Sequence, residues 1–355
     1  MSGEKRAASA TFGSSQVVKR QKSSADINGS SLVRSNGGQL VQGAYSSNAD
    51  GLQAKVMEMS GHTAEVFAAR FSPDSSMIVS GSMDHNILLW RSTGSCENLG
   101  LLAGHKSAVL DLQWSRDGQV VYSASADAHL MSWDVEAGVR VRKHPGHEEV
   151  INCLDVSKRG EEFLVSGSDD GFISIWDPRQ KSAMDYIETN MPVTAVCLSD
   201  AGNEFFSGSI DNNIKVWDLR MKKTSYSLPG HTDTITSLAL SPDSQTLLSF
   251  SHDSTVRTWD VRPFAAANRH IRIYDGAQIG LERNLVRARW DGEGKRIAVG
   301  GGDGTVTVWE TTKGKMLHKL PGHKGCVNDV GISKDGSMIL SASTDRTMLL
   351  GELPG

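Results

Sequence analysis

Cysteine is scarce in this chain. Cys96, Cys153, Cys197 and Cys326 are the only four in 355 residues, widely spaced and without a CxxC pair. That excludes a disulfide framework and metal-ligand spacing, and points to a reducing compartment, with no metal and no cofactor expected. Long apolar runs are lacking too. Nothing approaches the roughly 18 residues a bilayer-spanning helix needs, and the first residues are polar and charged, so neither a membrane partner nor a secretory signal is expected. No strong excess of charge exists: the net is −4. It is uneven, however. Residues 1–50 hold six basic against three acidic side chains, +3, and the remaining 31 basic and 38 acidic residues leave the rest at −7. An acidic body argues against broad nucleic-acid binding, which requires many neutralised phosphates. Large apolar groups are rare in residues 1–50, where Ser, Gly, Ala and Asn dominate. Such a segment cannot offset its ordering entropy and reads as a disordered tail.

What the chain does have is repetition. Gly146 to Asp177 opens on Gly-His, continues through two alternating apolar runs and a Ser-Gly-Ser-x-Asp turn, and ends on Trp-Asp. Val150, Cys153 (one residue out of step) and Val156, then Ile173 and Ile175, carry the period-two signal of half-buried strands. Asp170-Gly171 suits the tight hairpin between two of them. The unit recurs seven times, with Asp six residues before Trp wherever the Trp is present. Trp90, Trp133, Trp176, Trp217 and Trp259 are spaced by 43, 43, 41 and 42 residues.

Gly-His and Trp-Asp punctuation at this period resembles the WD40-repeat family from about Leu52 to the end. The resemblance implies an all-β fold: a seven-bladed β-propeller over residues 51–355, four antiparallel strands to a blade, preceded by the tail at 1–50. The strand-length run Leu52 to Met59 precedes the first Gly-His. It is expected to complete the last blade and close the ring.

Four copies hold a complete polar set: His62, Ser80, Asp84, Trp90; His105, Ser123, Asp127, Trp133; His147, Ser166, Asp170, Trp176; His231, Ser249, Asp253, Trp259. In the family such side chains form a buried structural network. A Ser-His-Asp hydrolase is the competing reading, but an active site occurs once and a structural fastening recurs, so no catalysis is expected. The fourth copy has Asn190 or a neighbour where His belongs. The sixth has Val299 for Ser and no Gly-His, and the seventh has Gly351 for Trp. These blades are expected to be weaker locally, or held by contacts from outside the chain. Val299 to Gly304 is glycine-rich but lacks the GK[ST] of a phosphate cradle, so it reads as a blade turn, with no small-molecule substrate implied. Trp114 and Trp290 take the place of Phe71 in the third apolar run and read as packing residues.

Trp259 and Trp309 are 50 residues apart, so about eight extra residues lie between them, in Arg262 to Ala267 and Tyr274 to Gly280. The segment VRPFAAANRHIRIYDGAQIGLERNLVRARW resembles the insertion-bearing segment of WD-repeat subunits of the U5 spliceosomal small nuclear ribonucleoprotein. Gly94 to Asn98 and Leu350 to Leu353 support this. The resemblance implies a splicing scaffold in the nucleus, contacting the large U5 scaffold protein near its helicase, without direct RNA contact. Arg262, Phe264, Arg269, Arg283 and Arg287 in and beside the insert are its candidate partner anchors. Lys5-Arg6 and Lys19-Arg20-Gln21-Lys22, twelve residues apart, match a bipartite nuclear import signal. One alternative remains: Trp176 to Arg179, Trp217 to Arg220 and Trp259 to Arg262 each read W-D-x-R, as in substrate receptors of cullin ubiquitin ligases. A bare salt bridge closing the turn explains those arginines equally well. A G-protein-β-like role would require a coiled coil that residues 1–50 lack.

Overall fold

A computed structural model describes residues 52–266 and 268–353, together with a two-residue antiparallel ladder of Val33–Arg34 with Leu40–Val41. The alternating apolar runs form strands of three to seven residues that pair into seven four-stranded antiparallel sheets. The third blade is typical: Ile151–Val156 innermost, then Leu164–Ser168, Phe172–Trp176 and Asp185–Glu188 outermost. All seven inner strands contribute to the lining of one central channel of about 450 Å³. The core lies between blades, not within one. Leu88 and Trp90 of the first blade pack with Met59, Leu340, Met348 and Leu350 of the seventh across their junction.

Val56–Ser60 pairs with Thr347–Glu352, placing Val56 opposite Gly351 and Ser60 opposite Thr347. The first strand thus completes the last blade as its outermost strand and covers the edge of Thr347–Glu352. Cys153 is out of step because the register shifts between Ile151 and Cys153. The same β-bulge recurs on the inner strands of the first, second, fourth, fifth and seventh blades. A bulge adds one residue and sharpens local twist, which lets a short strand turn tightly about an axis. The sixth inner strand, Ala288–Trp290, is shorter and has no such shift.

Strand alternation gives the ring two faces. Inner-to-second and third-to-outer connections lie on one, here called lower. Second-to-third and outer-to-inner connections, which carry the Asp turns and the Gly-His pairs, lie on the upper. Trp114 and Trp290 end inner strands, not third ones as the sequence suggests, and donate to the carbonyls of Arg70 and Ala239 in the preceding blades.

Candidate functional site

In the four complete sets the imidazole bridges two strands. Nδ1 lies 2.8–3.0 Å from Asp Oδ2, and Nε2 lies 2.7–2.8 Å from Ser Oγ. The indole N–H donates to the same hydroxyl oxygen at 2.8–2.9 Å. One arrangement pairs every proton: indole to hydroxyl, hydroxyl to Nε2, and Nδ1–H to carboxylate. The carboxylate also accepts the N–H that follows the histidine, at Thr63, Lys106, Glu148 and Thr232. Burial would raise the Asp84 carboxyl, but the His62 and Thr63 bonds outweigh it and hold it at about 2. All four serines are fully buried, and each oxygen is engaged by its indole. A nucleophile needs an open approach and a free lone pair, so these atoms fasten strands.

The incomplete sets are rebuilt in different ways. In the fourth blade Trp217 still donates to Ser207 at 2.7 Å, while Asp211 turns to Lys215 at 2.6 Å. Thr189, buried beside Asn190, sets its hydroxyl 2.7 Å from the Gly171 carbonyl and 2.8 Å from that of Met191. In the seventh, His323 keeps both bonds at 2.9 Å, and Leu349 closes on Gly322 where an indole would lie. In the sixth, Trp309 donates to the Asp275 carbonyl at 3.2 Å, and Val299 packs with Ala277, Val286 and Ile279. That blade is held in part from inside the chain, by the long connection before it. The connection also accounts for a glycine of the 299–304 run: a Cβ on Gly302 would stand 2.0 Å from the Gly280 nitrogen.

A second fastening, not anticipated from the sequence, lines the channel. Arg70 bonds Asp111 at 2.8 Å and lies 3.9 Å from Asp329, while Arg289 lies 3.8 Å from Asp329. Asp111, Asp155 and Asp329 each accept a backbone N–H of the next blade, from Leu154, Leu198 and Ala69. Burial pushes Asp329 up to about 6, against the opposing pull of Arg70 and Arg287. Asn152, Thr194 and Asn328 donate to the next blade's Val193, Ile235 and Val66 carbonyls. The available signal was charge where an inner strand should be apolar, as in Val-Leu-Asp-Leu-Gln-Trp.

The five candidate anchors do not form one patch. Arg262, Phe264 and Arg269 lie in the third-to-outer connection of the fifth blade, on the lower face. Arg283 and Arg287 follow the outer strand and lie toward the upper face and the channel. Phe264 is fully exposed (103%) with φ of 62°, a region costly for a bulky side chain. Arg262 closes on Asp260 through its guanidinium, 2.5 Å at the shortest contact. Arg269 lies 4.2 Å over the Tyr226 ring and bonds the Asp260 and Arg262 carbonyls. Arg283 is exposed, 3.4 Å from Asp233. Arg287 corrects the expectation: it is 5% exposed and donates to the Asn152 carbonyl at 2.7 Å, across the channel. It sits 3.4 Å from Asp111 and cannot serve as a surface anchor.

Of the W-D-x-R turns, only Arg262 forms the expected salt bridge with its own aspartate. Arg179 and Arg220 bond Asp177 and Asp218 through their backbone N–H, at 2.8 Å each. All four cysteines are buried free thiols. Among the described residues no group of His, Cys, Asp and Glu could hold a metal. Lys5, Arg6, Lys19, Arg20 and Lys22 lie outside the described residues.

Comparison with known proteins places this geometry. A profile described as "WD domain, G-beta repeat" matches residues 53–91, 283–310 and 314–350, and one described as "Nucleolar protein 10-like, N-terminal domain" matches 106–267. The chain is 46% identical to the pre-mRNA-splicing factor cwf17 of Schizosaccharomyces pombe, over 94% of this chain and 99% of that protein. It is 46% identical to the U5 small nuclear ribonucleoprotein 40 kDa protein of Bos taurus (85% and 84% covered) and 45% identical to that of Homo sapiens (85% and 85%).

Proposed function

Because the chain belongs to the WD40-repeat family that includes cwf17 and the U5 small nuclear ribonucleoprotein 40 kDa proteins, we propose that it is a protein-interaction scaffold of pre-mRNA splicing and a component of the U5 particle. The observation that carries this is identity near one half, sustained over almost the full length of relatives named for splicing. The geometry suits the role. A ring fastened at its blades and again around its channel offers rigid loops, which lose little entropy on docking. Its Ser-His-Asp sets are consumed in fastening, so the chain works without catalysis.

The finer assignment is that the chain docks on the large U5 scaffold protein near its helicase, through protein contacts and not RNA. Lys5, Arg6, Lys19, Arg20 and Lys22 act as the import signal that takes it to the nucleus. The relatives give no support to a ubiquitin-ligase role. Purification of the tagged full-length chain from nuclear extract, with RNA and protein quantified, tests the reading. U5 RNA and the large scaffold protein should be enriched together. Recovery of a cullin and its adaptor without U5 RNA would overturn it.

A further inference from the structure

The W-D-x-R turns have a use beyond closing their own strands. The third-to-outer connections of consecutive blades form a continuous lower rim, because each rests on the outer strand of the blade before. Arg142 reaches the Pro178 carbonyl at 2.6 Å, Lys222 pairs with Asp185 at 2.5 Å, and Arg269 covers Tyr226. Three neighbouring turns therefore present an arginine at one repeated position, fixed by the aspartate two residues earlier.

The charge of this arc opposes that of the body. Segments 177–185, 218–224 and 260–269 hold seven basic and four acidic residues, +3, in a propeller of −7. The acidic groups are occupied internally: Asp177, Asp218 and Asp260 accept the turn N–H groups, and Asp185 takes Lys222. Arg179, Lys181, Arg220 and Lys223 have no acidic partner among the described residues. Apolar groups stand among them: Met221 is 64% exposed and Phe264 wholly so. Behind Arg269, Tyr226, Leu228, Pro229, Ala265 and Ala266 line a pocket of about 350 Å³, within the range of sites that seat a small group.

We propose that this arc, from Arg179 through Arg220 and Met221 to Phe264 and the pocket that begins at its neighbour Ala265, docks an acidic segment of a partner protein whose apolar side chain seats beside Phe264. Unpaired guanidinium groups bind carboxylates in fork geometry. The exposed side chains of Met221 and Phe264 favour a protein segment over a nucleic-acid backbone, for which they would supply no phosphate contact. Phe264 at positive φ is an aromatic held outward at a conformational cost, a feature that clusters at binding sites. The proposal rests on membership of the splicing particle, and the experiment separates the two.

Tagged full-length chain is purified in its particle, with benzoylphenylalanine in place of Met221 or Phe264, or of Met83 on the upper face as reference. In parallel, Arg179→Glu, Arg220→Glu and Lys223→Glu are combined in one variant, and its melting is checked against wild type. Lower-face probes should crosslink to one protein segment rich in Asp or Glu and carrying an apolar residue. The folded triple variant should enter the particle at least roughly tenfold less, about 1.4 kcal/mol. If the triple variant melts early, Phe264→Ser takes its place, with the same loss expected. Crosslinks to RNA or to a basic segment, or entry of the folded variant at wild-type level, overturn the docking proposal alone. Absence of wild type from the U5 particle overturns the proposed function as well.

Discussion

Arg287→Met distinguishes a channel brace from a surface anchor. Methionine keeps most of the stem's packing and deletes the charge, so the effect isolates the guanidinium. Its 2.7 Å bond to the Asn152 carbonyl is a buried charge-assisted bond, about 1.5–3 kcal/mol. The 3.4 Å pairing with Asp111 is lost as well, but Asp111 keeps Arg70 at 2.8 Å and the Leu154 N–H at 2.9 Å. It is therefore not stranded, and the 3–5 kcal/mol typical of breaking an isolated buried pair is an upper bound. The expected loss is about 2–3 kcal/mol. Arg283→Ala, at an exposed pair 3.4 Å from Asp233, should cost under about 0.5 kcal/mol. Urea denaturation followed by tryptophan fluorescence measures both. A double-mutant cycle with Asp111→Asn should return a coupling of about 1 kcal/mol. Arg287→Met within about 0.5 kcal/mol of wild type, with zero coupling, would refute the brace.

Removing residues 52–59 exposes the outer edge of the seventh blade. Several kcal/mol should be lost, and an unchanged melting temperature would show that another segment covers Thr347–Glu352. Trp176→Ala empties a fully buried indole site and takes a donor from Ser166, about 3–5 kcal/mol. Asp303→Ala, whose carboxylate meets only Thr305 and Lys319, should cost clearly less, and equal losses would contradict the reading of the sixth blade. Asp84 is held at about 2 against 3.8 for a free carboxyl, with Asp127, Asp170, Asp253 and Asp345 lowered alike. A depressed folded-state pKa stabilises fully above the unfolded value and is lost as pH falls through the folded one, so stability should drop between about pH 4 and 2. Asp84→Asn with Asp170→Asn should flatten that limb, and an unaltered acid transition would remove the carboxylates as its cause.

Much of this molecule was legible in one dimension. His, Ser, Asp and Trp of each fastening lie within about thirty residues of one another, at nearly constant spacing, so their meeting was written into each repeat. Seven copies then implied a ring, and a strand-like run before the first Gly-His implied its closure. Even the misfit of Cys153 was visible as a break in alternation, though the bulge behind it was not. Strand identity was harder, since Trp114 and Trp290 read as third-strand residues until the pairing set them innermost.

Other features depend on contacts that no local pattern encodes. Arg287 meets Asn152 across 135 residues, and Asn328 meets Val66 across 262. The extra residues before Trp309 read as one insert, yet the strand His270–Tyr274 divides them between opposite faces. Spacing along the chain reports what a repeat does within itself, because each repeat forms the same hydrogen bonds in the same order. Which arginine faces solvent and which spans the channel is decided only when seven repeats close around a common axis and their inner strands meet.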